Sequence, residues 1–290
     1  MRVWSLLAAV VIAVLAPSAG AAEPPSWQTL PPTPGLPTPL DEGMAPVDDI
    51  RLHYAVFGRG APVILLHGGL ANMNYWGHQV PALAAHYLVI LVDSRGHGRS
   101  TRSTQAYSYE LMATDVVGLM DHLKLRKAAV VGWSDGAIIG LELAIHHADR
   151  VAGLYAFAAN YNPSGLREDL DRNATFNGFI ERCRHEYPGL SATPDRYDDF
   201  LAAVTRMWAT EPNLPPGALR GIALPVVIAD GDHDEAIKRS QTEEMAELIP
   251  GAGLQILPNV SHFAMLQDPA QFNEAVLHFL DHGVYPGDRR

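Results

Sequence analysis

The chain has 290 residues, 48% of them hydrophobic, enough to bury a full core and to exclude wholesale disorder. Its 32 acidic and 21 basic side chains leave a formal charge of −11, which excludes nucleic acid, heparin-like polyanions and acidic membrane surfaces as principal partners. Cys183 is the sole cysteine, so an intramolecular disulfide, a CxxC redox pair and a cysteine-rich zinc site are excluded as well.

Arg2 opens the chain with a positive charge, and residues 3–16 form an apolar run broken only by Ser5. Ala19-Gly20-Ala21-Ala22 then offers an Ala-x-Ala cleavage site. The run is shorter than the ~20 residues of an ordinary spanning helix. Residues 1–22 are therefore expected to be a secretory signal, removed on export to a bacterial periplasm or the exterior, with no stable membrane insertion afterwards. An uncleaved anchor is the competing reading. Residues 23–47 follow as a Pro-rich stretch, with eight prolines between Glu23 and Pro46. Proline fixes φ and removes the backbone donor, which predicts an extended tether or a surface-wrapping arm, a plain linker being the simpler of the two.

From residue 48 to 290 strands and helices alternate. Ile50–Phe57 alternates apolar with polar side chains, the period of a half-exposed strand. Pro62–Leu66 and residues 87–92, 128–131, 151–159 and 225–229 are short unalternating apolar runs, as parallel strands covered on both faces require. Helices are predicted over 109–125, with Ser108 as N-cap, over 237–249 and over 269–282. The sum is an α/β fold, a doubly wound and mostly parallel sheet. Residues 160–224 interrupt the rhythm. Phe176, Phe179, Ile180, Cys183 and Tyr187 share one helical stripe there, and Thr193-Pro194 is expected to start a second helix carrying Phe200, Val204, Met207 and Trp208. This segment reads as a helical cap inserted before the acid-bearing strand, with Cys183 as an inert core thiol.

Four short segments carry the chemistry. Gly132-Trp133-Ser134-Asp135-Gly136 lies between a strand and an almost wholly apolar helix, the setting of a nucleophile elbow. Its glycines leave room for a tight turn, and the helix N-terminus favours developing negative charge. His67-Gly68-Gly69-Leu70 follows another strand, where freed amides can receive an oxyanion beside the amide of Asp135. Asp230, Asp232 and Asp234 compete for the role of orienting a base. His262 follows the predicted strand 254–257, and the order Ser, Asp, His fits one of the three known triad orders.

With these motifs in place the chain from about Asp48 onward resembles the α/β-hydrolase-fold serine hydrolases with a helical cap, most closely the valacyclovir-hydrolase-type and related bacterial esterases. The block Asp93-Ser94-Arg95-Gly96-His97-Gly98-Arg99-Ser100 is similar to that family's loop after the fourth strand. The resemblance implies Ser134 as nucleophile, His262 as base, Asp234 as acid at the end of Gly231-Asp232-His233-Asp234, oxyanion amides from Gly69 and Asp135, and no cofactor or metal. The sequence also lacks a phosphate-binding GxxxxGK[ST], a dinucleotide GxGxxG and HExxH.

The expected activity is hydrolysis of a small-molecule carboxylic ester through an acyl-enzyme. A serine at 134 argues against epoxide hydrolases and dehalogenases of this fold, which attack with a carboxylate. Asp135 either faces the substrate, favouring cationic or neutral esters such as those of amino acids, or turns away to cap backbone amides. Leu70, Trp133, Asp135, Met207 and Trp208 are the candidate pocket residues, the aromatic and Met side chains having core packing as their alternative. An acyl transferase, perhydrolase or lactonase would share every one of these residues, and a slow-turnover ligand receptor would keep the same triad.

Overall fold

A computed structural model describes residues 24–287, and the expected signal segment, residues 1–22, lies outside them. Eight strands form one sheet: β1 (Asp41–Val47), β2 (Ile50–Phe57), β3 (Pro62–Leu66), β4 (Leu88–Val92), β5 (Ala128–Trp133), β6 (Val151–Phe157), β7 (Val226–Gly231) and β8 (Gly253–Leu257). Their spatial order is β1-β2-β4-β3-β5-β6-β7-β8. β1 and β2 pair antiparallel, as do β2 and β4, and every later pairing is parallel.

The unalternating apolar runs explain the layers. Along β3, β4 and β5, Val63, Leu65, Val89, Leu91, Ala129 and Val131 enter one core, while Ile64, Leu66, Ile90, Val92, Ala128 and Val130 enter the other. With both faces of a strand buried, successive side chains are apolar in both directions. The helices outside the cap are α1 (Val80–Ala84), α2 (Tyr109–His122), α3 (Asp135–His146), α7 (Arg239–Leu248), α8 (Ala264–Gln267) and α9 (Pro269–Phe279). α2, α3 and α7 contribute to one core and α1, α8 and α9 to the other. Ser108 caps α2 as expected, accepting from the Leu111 amide at 3.2 Å.

Between β6 and β7 rise the cap helices α4 (Ala174–Leu190), α5 (Tyr197–Thr210) and α6 (Pro216–Arg220). The α4 stripe Phe176, Phe179, Cys183 and Tyr187 is buried, and burial drives the Cys183 thiol well above its ordinary range. Thr193 does not cap α5. A short 3-10 turn, Pro194–Arg196, comes first, and the Thr193 hydroxyl meets Tyr187 and Ser191 instead.

Residues 41–47, placed by composition in the Pro-rich stretch, form strand β1. Pro46 is tolerated because β1 is an edge strand and need not donate on its outer side. Residues 24–40 run as an arm over the cap and core. Lacking many N–H donors, the arm is held by its carbonyls: the Arg182 guanidinium of α4 donates to Leu30 and Pro31 oxygens at 2.6 Å each, and Gln267 of α8 donates to Thr29 oxygen at 2.9 Å. Leu30 and Leu36 pack against the core. Among the described residues no helix is long and apolar enough to cross a membrane.

Candidate active site

Ser134 sits between β5 and α3 with φ 55° and ψ −120°, a backbone state that is costly for a non-glycine residue and that clusters at functional sites. The turn survives because its flanks are glycines. A Cβ on Gly136 would lie 2.0 Å from the Leu66 carbonyl oxygen, and one on Gly132 would lie 2.3 Å from that of Gly136. The Ser134 amide is anchored to Phe157 oxygen at 2.9 Å.

The other two members of the predicted triad come from the carboxyl ends of β7 and β8. Nδ1 of His262 lies 2.8 Å from Asp234 Oδ2, and both side chains are buried. Asp234 Oδ1 accepts the amides of Ala236 and Ile237 at 2.6 and 2.7 Å. Burial pushes the Asp234 carboxyl up, but the His262 charge and hydrogen bond, then Asp230 and the Ile237 amide, hold it below its ordinary range. Burial alone would push His262 down, but Asp234 first, then Glu235 and Asp135, hold it above its usual value of 6.5.

The three competing aspartates separate by geometry. Asp232 accepts the Val260 amide at 3.3 Å. Asp230 is wholly buried, bonded to Thr242 and to the Gly231 amide, and burial together with the Asp234 charge pushes its carboxyl far upward. Only Asp234 meets the imidazole. Glu235, which nothing in the sequence singled out, accepts the His262 amide at 3.0 Å. Its role comes from the adjacency of two loops, which spacing does not reveal.

Asp135 faces inward. It accepts from Tyr109 Oη at 2.9 Å and from the Trp208 indole N–H at 2.9 and 3.0 Å to its two oxygens, and burial raises its pKa to about 6. Gly69 packs directly on this group, since a Cβ there would lie 2.4 Å from Asp135 Oδ2 and 2.5 Å from Trp208. Among the described residues the amides of Gly69 and Asp135 donate to no protein acceptor. The Asp135 amide opens α3, where intrahelical partners are lacking.

Ser134, Asp135 and His262 line one cavity of about 40 Å³, roofed by Leu166, Leu170, Phe176 and Trp208 of the cap segment. Three expected pocket residues lie elsewhere. Trp133 is 1% exposed and wedged between the rings of Tyr75, Phe179 and Phe263, with the His262 ring 5.9 Å away, because successive strand residues alternate sides and Trp133 points into a core. Leu70 packs in that same core. Met207 lies one position, roughly 100° of helix, from Trp208 and borders a separate open groove between residues 102–107 and α5. Conversely, Phe176 was visible in the sequence as a helical stripe residue but not as part of the site. No group of three or more His, Cys, Asp or Glu side chains among the described residues is placed to hold a metal ion.

A strained serine at a strand-to-helix turn, a buried Asp–His pair and a helical roof define a hydrolase site on a doubly wound sheet. Residues 61–186 match the family model of the alpha/beta hydrolase fold. The chain is 30% identical to RutD of Caulobacter vibrioides, over 79% of this chain and 95% of that protein. It is 27% identical to epoxide hydrolase A of Mycobacterium tuberculosis, over 85% and 98% respectively. Among solved structures it resembles an N-acyl homoserine lactone degrading enzyme with a TM-score of 0.69 and 27% identity, covering 82% of this chain and all of that one. The chain belongs to the α/β-hydrolase family.

Proposed function

We propose that this hydrolase is a serine esterase acting on small carboxylic esters, with Ser134 as nucleophile, His262 as general base and Asp234 as its orienting acid. The observation that carries the reading is that His262, paired to Asp234 at 2.8 Å, lines the same cavity as the strained Ser134. Because Nδ1 faces the Asp234 carboxylate, it carries the proton and leaves Nε2 basic. Nε2 takes the Ser134 proton as Oγ attacks the carbonyl carbon, and the imidazolium is stabilised by Asp234. The amides of Gly69 and Asp135 receive the oxyanion, a contribution of roughly 10²–10³ in rate for one donor. The alcohol leaves with the His262 proton, and water repeats the sequence on the acyl-enzyme.

Serine at position 134 separates this reading from epoxide opening through a carboxylate nucleophile, despite the similarity to epoxide hydrolase A. RutD carries the name of a carbamate hydrolase and the resembling structure is titled a lactone-degrading enzyme, so an acyl carbon attacked by an activated nucleophile is compatible with both. Within the ester class, the inward-facing Asp135 carboxylate, ionised above about pH 6, favours an amine-bearing or neutral acyl group over an anionic one. Export by residues 1–22 to a periplasm or the exterior belongs to the same proposal, supported by the apolar run and its Ala-x-Ala site.

The decisive experiment is release of nitrophenol from a short-chain nitrophenyl ester by the purified chain. Ser134→Ala or His262→Ala is expected to lower kcat by about 10⁴-fold or more, and activity surviving Ser134→Ala overturns the assignment. Amine preference is tested with an amino-acid ester and its des-amino analogue. Equal kcat/KM for the two, unchanged in Asp135→Asn, refutes it.

A further inference from the structure

The arm ends on the two loops that carry the acid and the base. Ser26 Oγ donates to the carbonyl of Asn259. The Trp27 indole stacks on the His233 imidazole, ring centroids 4.0 Å apart and planes within 10°. Thr29 oxygen accepts from Gln267 Nε2 at 2.9 Å, and the same Gln267 receives the Ser261 amide on its Oε1 at 2.7 Å. His233 immediately precedes Asp234, and Ser261 immediately precedes His262. Three residues within a four-residue stretch of the arm thus hold the chain neighbours of both members of the pair.

The sheet ends beside these loops. β8 is the last strand, and its exposed Gly253 and Leu254 contrast with the wholly buried β5 that carries the serine. The loops do bind each other, through Asp232 amide to Leu257 oxygen at 2.9 Å and His233 amide to Val260 oxygen at 3.1 Å. On their outer side Asp232, His233, Pro258 and Asn259 remain exposed, and the arm bridges the two loops there through Trp27 and Ser26 while Arg182 fixes it to α4. Proline-rich composition lowers the entropy lost when such a segment is ordered, which suits a permanent brace.

We propose that Trp27, with Ser26 and Thr29, is a positioning element of the active site, holding the acid and base loops in the register that keeps His262 on Asp234. It acts through His233 and Gln267 and touches neither substrate nor reacting atoms. This inference rests on the serine-hydrolase reading above, and its test is chosen to separate the two.

The full chain carrying Trp27→Ala, Trp27→Phe or His233→Ala is assayed for kcat and KM on a nitrophenyl ester across pH, for the rate of Ser134 labelling by a fluorophosphonate, and for thermal unfolding. Trp27→Ala is expected to lower kcat and the labelling rate about ten- to a hundredfold, the scale of a misplacement of roughly 1 Å, with KM little changed. The rising limb of the pH profile moves to lower pH as Asp234 loses its hold on His262, which Glu235 and Asp135 also face. Trp27→Phe, which keeps a stacking ring, restores both rates. His233→Ala deletes the same stack from the loop side and reproduces the loss, deciding the matter should Trp27→Ala fail to fold. Wild-type rates and an unmoved limb in Trp27→Ala or His233→Ala overturn the inference alone. A wild-type chain that resists the phosphonate overturns the serine-hydrolase reading and this inference with it.

Discussion

Trp208 of the cap donates its indole N–H to both carboxylate oxygens of Asp135, the residue after Ser134, at 2.9 and 3.0 Å. A side chain of the roof is thereby bonded to the floor of the site.

This bond should be measurable. Hydrogen bonds to a charged group contribute about 1.5–3 kcal/mol, so Trp208→Phe, which keeps the ring and loses the donor, is expected to lower stability by that amount. A double-mutant cycle with Asp135→Asn, read by denaturant unfolding at pH 8, should return a coupling of about 1 kcal/mol or more. A coupling near zero would show that the contact contributes nothing.

Asp135 also makes a prediction about pH. Its folded-state value, raised by burial to about 6 from 3.8, means that the folded chain binds more protons than the unfolded chain between those values. Its ionisation therefore costs stability, nothing below about pH 4 and at most about 3 kcal/mol above pH 6. Asp135→Asn should gain stability relative to wild type as pH rises from 4 to 7 and hold that gain above. Parallel melting curves for the two proteins over this range would contradict it.

As the proposed base His262 must be neutral, and against the opposing effect of burial it is held above 6.5 mainly by Asp234. The kcat/KM profile should accordingly rise through a limb above pH 6.5. Asp234→Asn leaves burial unopposed by that charge, so the limb moves to lower pH while kcat falls by about 10⁴-fold. A limb that stays in place would show that the Asp234 charge does not hold His262 up.

Two glycines give opposite expectations for the same substitution. Gly136→Ala forces a Cβ to 2.0 Å from a backbone oxygen and should cost more than about 4 kcal/mol, leaving little soluble protein. Gly189→Ala, in α4, meets nothing within 4 Å and should raise stability by about 0.5–1 kcal/mol. Chemical denaturation of both variants checks the contrast.

Much of this fold was legible because the central strands are buried on both faces, which leaves unalternating apolar runs such as Pro62–Leu66 bounded by turn residues. β1 was not legible. Its sequence, Asp-Glu-Gly-Met-Ala-Pro-Val, carries charges and a proline that an edge strand accepts and a central one rejects. The site residues divide the same way. Ser134 announces itself through glycines that the turn demands sterically, and His262 through its place after a strand. Asp234 is distinguished from Asp230 and Asp232 in the sequence only by the family resemblance, and the physical basis of its role is a loop geometry that spacing does not encode. The inward orientation of Asp135 and the distance of Met207 from the cavity depend on helical phase and on how the cap sits, both tertiary properties.

The cavity at Ser134 and His262, at about 40 Å³, is far below the ~300–1,000 Å³ of small-molecule sites but ample for a water, which needs ~10–15 Å³. On the proposed serine-esterase reading, a substrate must part this roof to enter, and the space left beside an acylated Ser134 then selects the second nucleophile by size. Water needs the least further opening, whereas an alcohol needs the roof held wider. The bond between Trp208 and Asp135 therefore bears on partitioning as well as stability: loosening it should shift product from free acid toward transesterified ester when alcohol is abundant.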